Sequence, residues 1–498
     1  MDVELHNKTP FYSAVISYIN SSVTPFDVPG HKLGAINTEL RKFLGRRAFE
    51  FDVNAPKGLD NLNHPRGVLK EAQELFADAF GARKAFFLVN GSSVGLLTMI
   101  LYSVKAHDKI ILPRNVHKSI INGLILSGAI PVFIKPNIDG ELGIAGGINL
   151  KSIKDTIKEH PDAKAVLIIN PTYFGVTSNL KKIAEHVHEH NMLLLVDEAH
   201  GSHFHFSDRL PPSAMQSGAD MSVLSIHKTG GSLTQSSALL VKSERIDCDE
   251  IQNILNMLQS TSPNSLLLAS LDVTRKYLVL HGKRAIGHSI ELAKYAVNRL
   301  KDIPGIKVVD KKYFKEKKEF GYDSSRLVIK VNELGLSGFE IYNILREEYS
   351  IQLELAETYC ILAIITIGTK KKHIDTLVNA LNDLSYRFYG KFVPYIVPKF
   401  QYSFPKMLYR PRLAFHAPYK KIKLDDDAIG EVSAESIMIY PPGIPLIIPG
   451  EVITKELVDM LDLYQEQGST ILKQEEGPYI KVIDKDNWKL FQNDESEE

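Results

Sequence analysis

The chain has 498 residues, long for one domain and enough for two or three, and its 44% hydrophobic and 24% charged residues fit a globular protein with a large core. Lys+Arg and Asp+Glu both number 59, so no net field draws the chain to nucleic acid or to an anionic membrane surface. The opening residues lack the apolar core of a signal peptide, and no apolar run approaches the roughly 20 residues of a bilayer span. Only Cys248 and Cys360 occur, too few for a disulfide scaffold or a structural zinc site, and a cytoplasmic location is expected.

Residues 1–65 form an N-terminal segment, and from 66 onward helix and strand alternate. Val68, Leu69, Ala72, Leu75, Phe76, Ala79 and Phe80 recur at helical spacing, with Gly81 as the C-cap. Seven apolar runs follow, at Ala85–Val89, Lys109–Leu112, Ile130–Ile134, Ala165–Ile169, Met192–Val196, Met221–Leu224 and Ala238–Val241. Most are continuous rather than alternating, the pattern of strands covered on both faces. Helical segments near 93–105, 117–127, 150–159 and 179–190 separate most of them. The expected fold class is α/β: a large domain (66–285) with a mainly parallel sheet of about seven strands. Residues 250–300 read as helical. A small α+β domain (286–390) then holds a basic loop at 311–318, strands at Arg326–Val331, Ile351–Leu355 and Ile361–Ile367, and helices at Glu340–Glu347 and His373–Leu381. A C-terminal domain (391–498) begins with a Pro- and Tyr-rich linker, Val393 to Pro418, and ends in an acidic tail expected to be disordered.

Ligands of such sheets sit at the carboxyl ends of strands, where Asn90, Arg114, Asn170, Asp197 and Ser225 fall. Lys228, in Ser225-Ile226-His227-Lys228-Thr229-Gly230-Gly231, follows one buried strand, and Asp197 ends another. Lysine is rarely placed against a core without a task. A lysine here can bond to the aldehyde of pyridoxal 5′-phosphate (PLP), while the aspartate keeps the pyridine nitrogen protonated. Two decoys fail. Asp197-Glu198-Ala199-His200 resembles a helicase signature, but no phosphate loop of the type G-x-x-x-x-G-K-[ST] accompanies it. Ser225-x-x-Lys228 followed by Thr-Gly mimics penicillin-binding enzymes, which place Lys-Thr-Gly on a separate distant strand. Asn90-Gly91-Ser92-Ser93, between a strand and a helix, offers amides and hydroxyls to a phosphate, with Ser225 and His227 within reach of the same group. His117, after the next strand, is a candidate to lie on the pyridine ring. His200, beside Asp197, is expected to orient that carboxylate. The trio His200, His203 and His205 matches no standard metal spacing, and no metal is expected; His186 and His190, one helical turn apart, read as a solvated face. In Tyr440–Glu451, four prolines stiffen an extended loop that ends on a carboxylate.

Together these runs resemble the bacterial ornithine/lysine/arginine decarboxylases of the aspartate-aminotransferase-like fold (PLP fold type I). The resemblance rests on Phe26–Lys32, the Asn-Gly-Ser-Ser loop, Arg114–Ser119, Asn170–Gly175, Asp197–His200, Ser225–Lys228, Ser260–Pro263 and Tyr440–Glu451, in order along nearly the whole chain. Val116 stands where the long, acid-inducible members usually carry Cys, and the extra N-terminal wing domain of those members is not expected here. The chain looks most like the shorter biosynthetic arginine decarboxylases of Bacillus-like bacteria. The resemblance implies α-decarboxylation of a basic amino acid for polyamine synthesis, with arginine the expected substrate and lysine or ornithine the alternatives. A PLP aminotransferase and a non-enzymatic homologue are the remote ones. It implies catalytic roles for Lys228, His117 and Asp197, and PLP contacts from Ser92, Ser93, Thr172, His200, Ser225 and His227. Thr261 and Ser262 are expected to reach a neighbour's cofactor, since the family's active sites lie at the interface of a homodimer or larger homo-oligomer. Glu451 is the expected partner of the substrate's distal cation.

Overall fold

The computed structural model describes residues 3–317, 320–397, 405–440 and 443–492. All seven expected strands are present in one sheet: β1 (Lys84–Leu88), β2 (Lys109–Pro113), β3 (Ile130–Ile134), β4 (Ala165–Ile169), β5 (Leu193–Asp197), β6 (Met221–Leu224) and β7 (Ser237–Val241). Their order is β1-β7-β6-β5-β4-β2-β3. The pairs from β6 to β3 are parallel, and β7 alone runs antiparallel to both of its neighbours. The apolar runs are continuous because both faces are covered. Val166, Ile168, Leu194 and Val196 enter one core, while Ala165, Leu167 and Leu195 enter the other. The connecting helices lie at Gly91–Ser103, Lys118–Ser127, Leu150–Glu159 and Leu180–Glu189.

A single helix, Ser265–Leu300, carries the chain from the large domain to the small one and passes unbroken through position 285. Its Asp272 and Arg275 form a fully buried pair. Asp272 accepts from the amides of Phe11 and Tyr12, and Arg275 donates to the carbonyls of His6 and Lys8, which fixes the N-terminal segment and its helix Pro10–Asn20. The small domain is a four-stranded antiparallel sheet in the order Lys307–Val309, Arg326–Lys330, Cys360–Ile364, Leu355–Ala356, with helices Gly338–Tyr349 and Lys371–Phe388. Three expectations differ. The strand expected at Ile351–Leu355 is confined to Leu355–Ala356, the edge strand Lys307–Val309 was not anticipated, and the basic stretch begins as a helix, Lys311–Glu316, capped by Asp310. The proline-rich segment is not a plain connector either. Ile437–Tyr440 and Ile444–Ile447 pair as an antiparallel hairpin, and Thr470–Leu472 extends it. Pro441, Pro442, residues 398–404 of the linker and the tail 493–498 lie outside the described residues.

Candidate active site

Lys228 lies in a one-turn helix, Ile226–Thr229, directly after β6, and Asp197 is the last residue of β5. Because β5 and β6 are adjacent and parallel, both side chains reach the same end of the sheet. They share a pocket with Ser92, His117, Thr172 and His200. Thus the spacing of two strand ends in the sequence becomes a constellation in space.

Burial sets the electrostatics. Asp197 is fully enclosed, which pushes its carboxyl up from the ordinary aspartate value, while the amide of Ala199 (3.1 Å to Oδ1) and the charge of Lys228 oppose this. Its other oxygen has no hydrogen-bond partner among the described residues. Burial likewise lowers the Lys228 ammonium, partly offset by Asp197 and Glu354. His117 is pushed down to about 4 by burial, then by Lys228 and Lys118. Its Nδ1 accepts from the Ser119 amide (3.2 Å), so the neutral ring carries its proton on Nε2. The Ser119 hydroxyl donates in turn to Ser93 Oγ at 2.9 Å. Ser225 Oγ donates to Ser92 Oγ at 2.9 Å, bringing two hydroxyls to the N-terminus of the helix Gly91–Ser103. His227 stands on the far side of Lys228, its Nδ1 2.9 Å from the Ser236 carbonyl.

Two placements differ from expectation. His200 Nε2 lies 2.7 Å from Lys228 Nζ, and its ring packs on Tyr173 with centroids 4.1 Å apart, so its described hydrogen bond is to the lysine and not to Asp197. Burial, then Lys228, holds this imidazole well below the ordinary histidine value, so it meets the lysine as a neutral acceptor. Glu451 is the second. Its carboxylate is gripped by the Arg114 guanidinium, Nε to Oε1 at 2.7 Å and Nη2 to Oε2 at 2.6 Å, and it also accepts from the Ile448 amide. Both partners are almost completely buried. The fork that was expected to meet a substrate cation is filled by the protein's own arginine, which also donates to the carbonyls of Pro445 and Leu446. This pair ties the hairpin to the end of β2 and brings Ile444 into the wall of the Lys228 pocket.

Thr261 and Ser262 are exposed in the loop before the long helix and do not line this pocket. Tyr173 was not singled out in the sequence. It lies under His200, and its hydroxyl donates to Glu354 at 3.0 Å. The only signal for it was its place in the run Asn170–Gly175. Among the described residues, one His/Glu group is close enough to hold an ion: His186, Glu189 and His190, mostly exposed at the end of a helix. The other two histidines of the trio are engaged elsewhere: His203 Nε2 lies 3.1 Å from Asp323 Oδ2 and 3.4 Å from the Ser325 hydroxyl, and His205 Nδ1 bonds the Ser213 hydroxyl.

The family model of the Orn/Lys/Arg decarboxylase major domain matches residues 9–373, and that of the C-terminal domain matches residues 398–471. The chain belongs to this decarboxylase family. The arginine decarboxylase of Halalkalibacterium halodurans is 44% identical over 450 residues, covering 90% of this chain and 91% of that protein. The arginine decarboxylase of Bacillus subtilis is 44% identical over 461 residues, covering 91% and 93%. Among solved structures, the lysine decarboxylase LdcF of Francisella novicida superposes with a TM-score of 0.82 at 23% identity, covering 95% of this chain and 81% of that one, which supports the fold. No helix among the described residues of this family member is long and apolar enough to cross a membrane.

Proposed function

We propose that this decarboxylase uses PLP to convert L-arginine to agmatine and CO2, in the cytoplasm and as a step toward polyamines. The observation that carries the reading is the convergence of Lys228, Asp197 and His117 on one pocket. The residues suit the cofactor. Lys228 offers a part-buried amine whose charge is disfavoured, Asp197 has a carboxylate oxygen without a described partner, and the Ser92–Ser225 hydroxyl pair stands at a helix N-terminus fit for a phosphate. When bound, PLP supplies a cationic ring that accepts the electron pair left as the Cα–carboxylate bond breaks. Asp197 holds the proton on the ring nitrogen, an ion pair that also relieves its own burial. His117 presents a neutral ring face and an Nε2–H donor. Imidazolium is scarce at neutral pH with the pKa near 4, so Lys228 Nζ is the better source of the proton that returns to Cα.

Arginine is preferred to lysine or ornithine because the two relatives above, at 44% identity, are both named arginine decarboxylases. A second copy of the chain is proposed to complete the site. Phe26 and Phe43 are 93% and 88% exposed on the N-terminal segment, an apolar surface suited to burial against a partner, and Thr261 and Ser262 are free to face that partner's cofactor. The test is to give the PLP-loaded protein arginine, lysine and ornithine separately and identify the amine formed. Agmatine from arginine at the highest kcat/KM supports the proposal; cadaverine or putrescine as the main product overturns the substrate assignment.

A further inference from the structure

A decarboxylase for basic amino acids must compensate a second cation inside the protein, and Glu451 is committed to Arg114. A second cavity lies beside the Lys228 pocket and shares two of its walls, Asn115 and Ile444. Its other walls are largely apolar, including Ile144, Phe174 and Leu446, with the Arg114 guanidinium at one side. Glu357 also faces it. No hydrogen bond or ion pair to the Glu357 carboxylate exists among the described residues, in contrast to the carboxylates of Glu451, Glu435 and Asp323, each of which is held by amides or a cation.

We propose that Glu357 is the specificity-determining residue that receives the substrate's distal guanidinium, in the cavity beyond Asn115 and Ile444. This deepens the proposed function and rests on that reading. Three features support it. The backbone of Glu357 is rigidly set in the hairpin between Leu355–Ala356 and Cys360–Ile364, its amide donating to the Cys360 carbonyl at 2.8 Å. That hairpin presses so closely on Gly338 that a Cβ there would sit 2.1 Å from the Glu357 carbonyl oxygen, so the backbone that carries the carboxylate into the cavity wall is fixed before any ligand arrives. Second, the ionisable groups in the cavity wall are Arg114, already balanced by Glu451, and Glu357, which has no counter-ion; one arriving cation completes the set. Third, desolvation in the half-buried cavity wall, with nothing to offset it, pushes the Glu357 carboxyl up to about 8, as expected of an acid lacking its counter-ion. Glu354, three residues earlier, is the rival carboxylate, but its oxygen already accepts from the Tyr173 hydroxyl.

The test compares wild type, Glu357→Gln, Glu357→Asp and Glu354→Gln, all loaded with PLP. Glu357→Gln should lower kcat/KM for arginine by about 30-fold or more, mostly through KM, the effect of removing one partner of a buried charge pair. Inhibition by agmatine should weaken in parallel, Glu357→Asp should recover part of the loss, and PLP absorbance should be unchanged. Arginine kcat/KM and agmatine inhibition within about twofold of wild type in Glu357→Gln, or the loss appearing in Glu354→Gln instead, would overturn the proposal. Should Glu357→Gln not fold, Met460→Trp, which fills the same cavity from a half-buried wall position, carries the same prediction and the same refutation. Calorimetric titration with agmatine separates this proposal from the decarboxylase reading. Agmatine binding that requires Glu357 in a protein releasing no CO2 would leave the subsite standing and remove the reaction.

Discussion

Removing the charge of Glu451 tests whether that residue holds the fold or the substrate. Glu451→Gln leaves Arg114 buried with a neutral amide in place of a carboxylate, and the amide nitrogen is a donor facing a donor. Both partners are at most 2% exposed, so solvent does little to screen the loss, and breaking a buried pair from one side costs about 3–5 kcal/mol. At roughly 2–4 °C per kcal/mol, the unfolding midpoint should fall by about 6 °C or more. Arg114→Gln should be comparably destabilising, since it also abandons the Pro445 and Leu446 carbonyls. Thermal and denaturant unfolding of the two single variants and the double variant form a cycle, and the coupling between the positions should exceed about 1.5 kcal/mol. The same preparations are assayed with saturating and limiting arginine. An unchanged midpoint in Glu451→Gln, with additive effects and a raised KM for arginine alone, would refute this reasoning and return Glu451 to the substrate.

Asp197→Asn should fold and bind PLP yet lose kcat by more than about 100-fold, as loss of a preorganised charge does in other active sites; near-normal turnover would mean the ring nitrogen is supported otherwise. Ser225→Ala should weaken PLP binding about tenfold or more, read by equilibrium titration of apoprotein, because a hydrogen bond to a charged phosphate contributes about 1.5–3 kcal/mol. His117 gives a pH signature. Its folded pKa of about 4 lies below the ordinary 6.5, so the unfolded chain binds more protons between these values and stability falls as pH falls through that window. Apoprotein should lose about 2 kcal/mol from this group between pH 7 and pH 5, and His117→Phe should lose correspondingly less in denaturant titrations at the two pH values.

The sheet was legible because burial on both faces removes alternation, so that Ala165–Ile169 or Ala238–Val241 stands out as an unbroken apolar run. Short edge elements leave no such mark: Lys307–Val309 is three residues with an exposed lysine at its start. The hairpin formed by Ile437–Tyr440 and Ile444–Ile447 was hidden by its prolines, which lack the amide a ladder uses, although Pro445 keeps its place opposite Met438. Lys228, Asp197 and His117 were readable because each stands at or just beyond a strand end within a local motif. The partners of Glu451 and His200 were not. Arg114 and Glu451 are 337 positions apart, and Lys228 and His200 are 28 apart, just beyond the ends of adjacent strands, so nothing local encodes who meets whom. Chemistry alone suggested that a carboxylate should face a cation; the fold supplied a different cation.

The most direct test of the central claim is chemical. Borohydride reduction of the PLP-loaded wild-type protein, followed by proteolysis and mass spectrometry, should place one phosphopyridoxyl group on Lys228, and Lys228→Ala should yield no adduct, no visible cofactor absorbance and no agmatine. An adduct on another lysine, or an undiminished visible spectrum in Lys228→Ala, would contradict it.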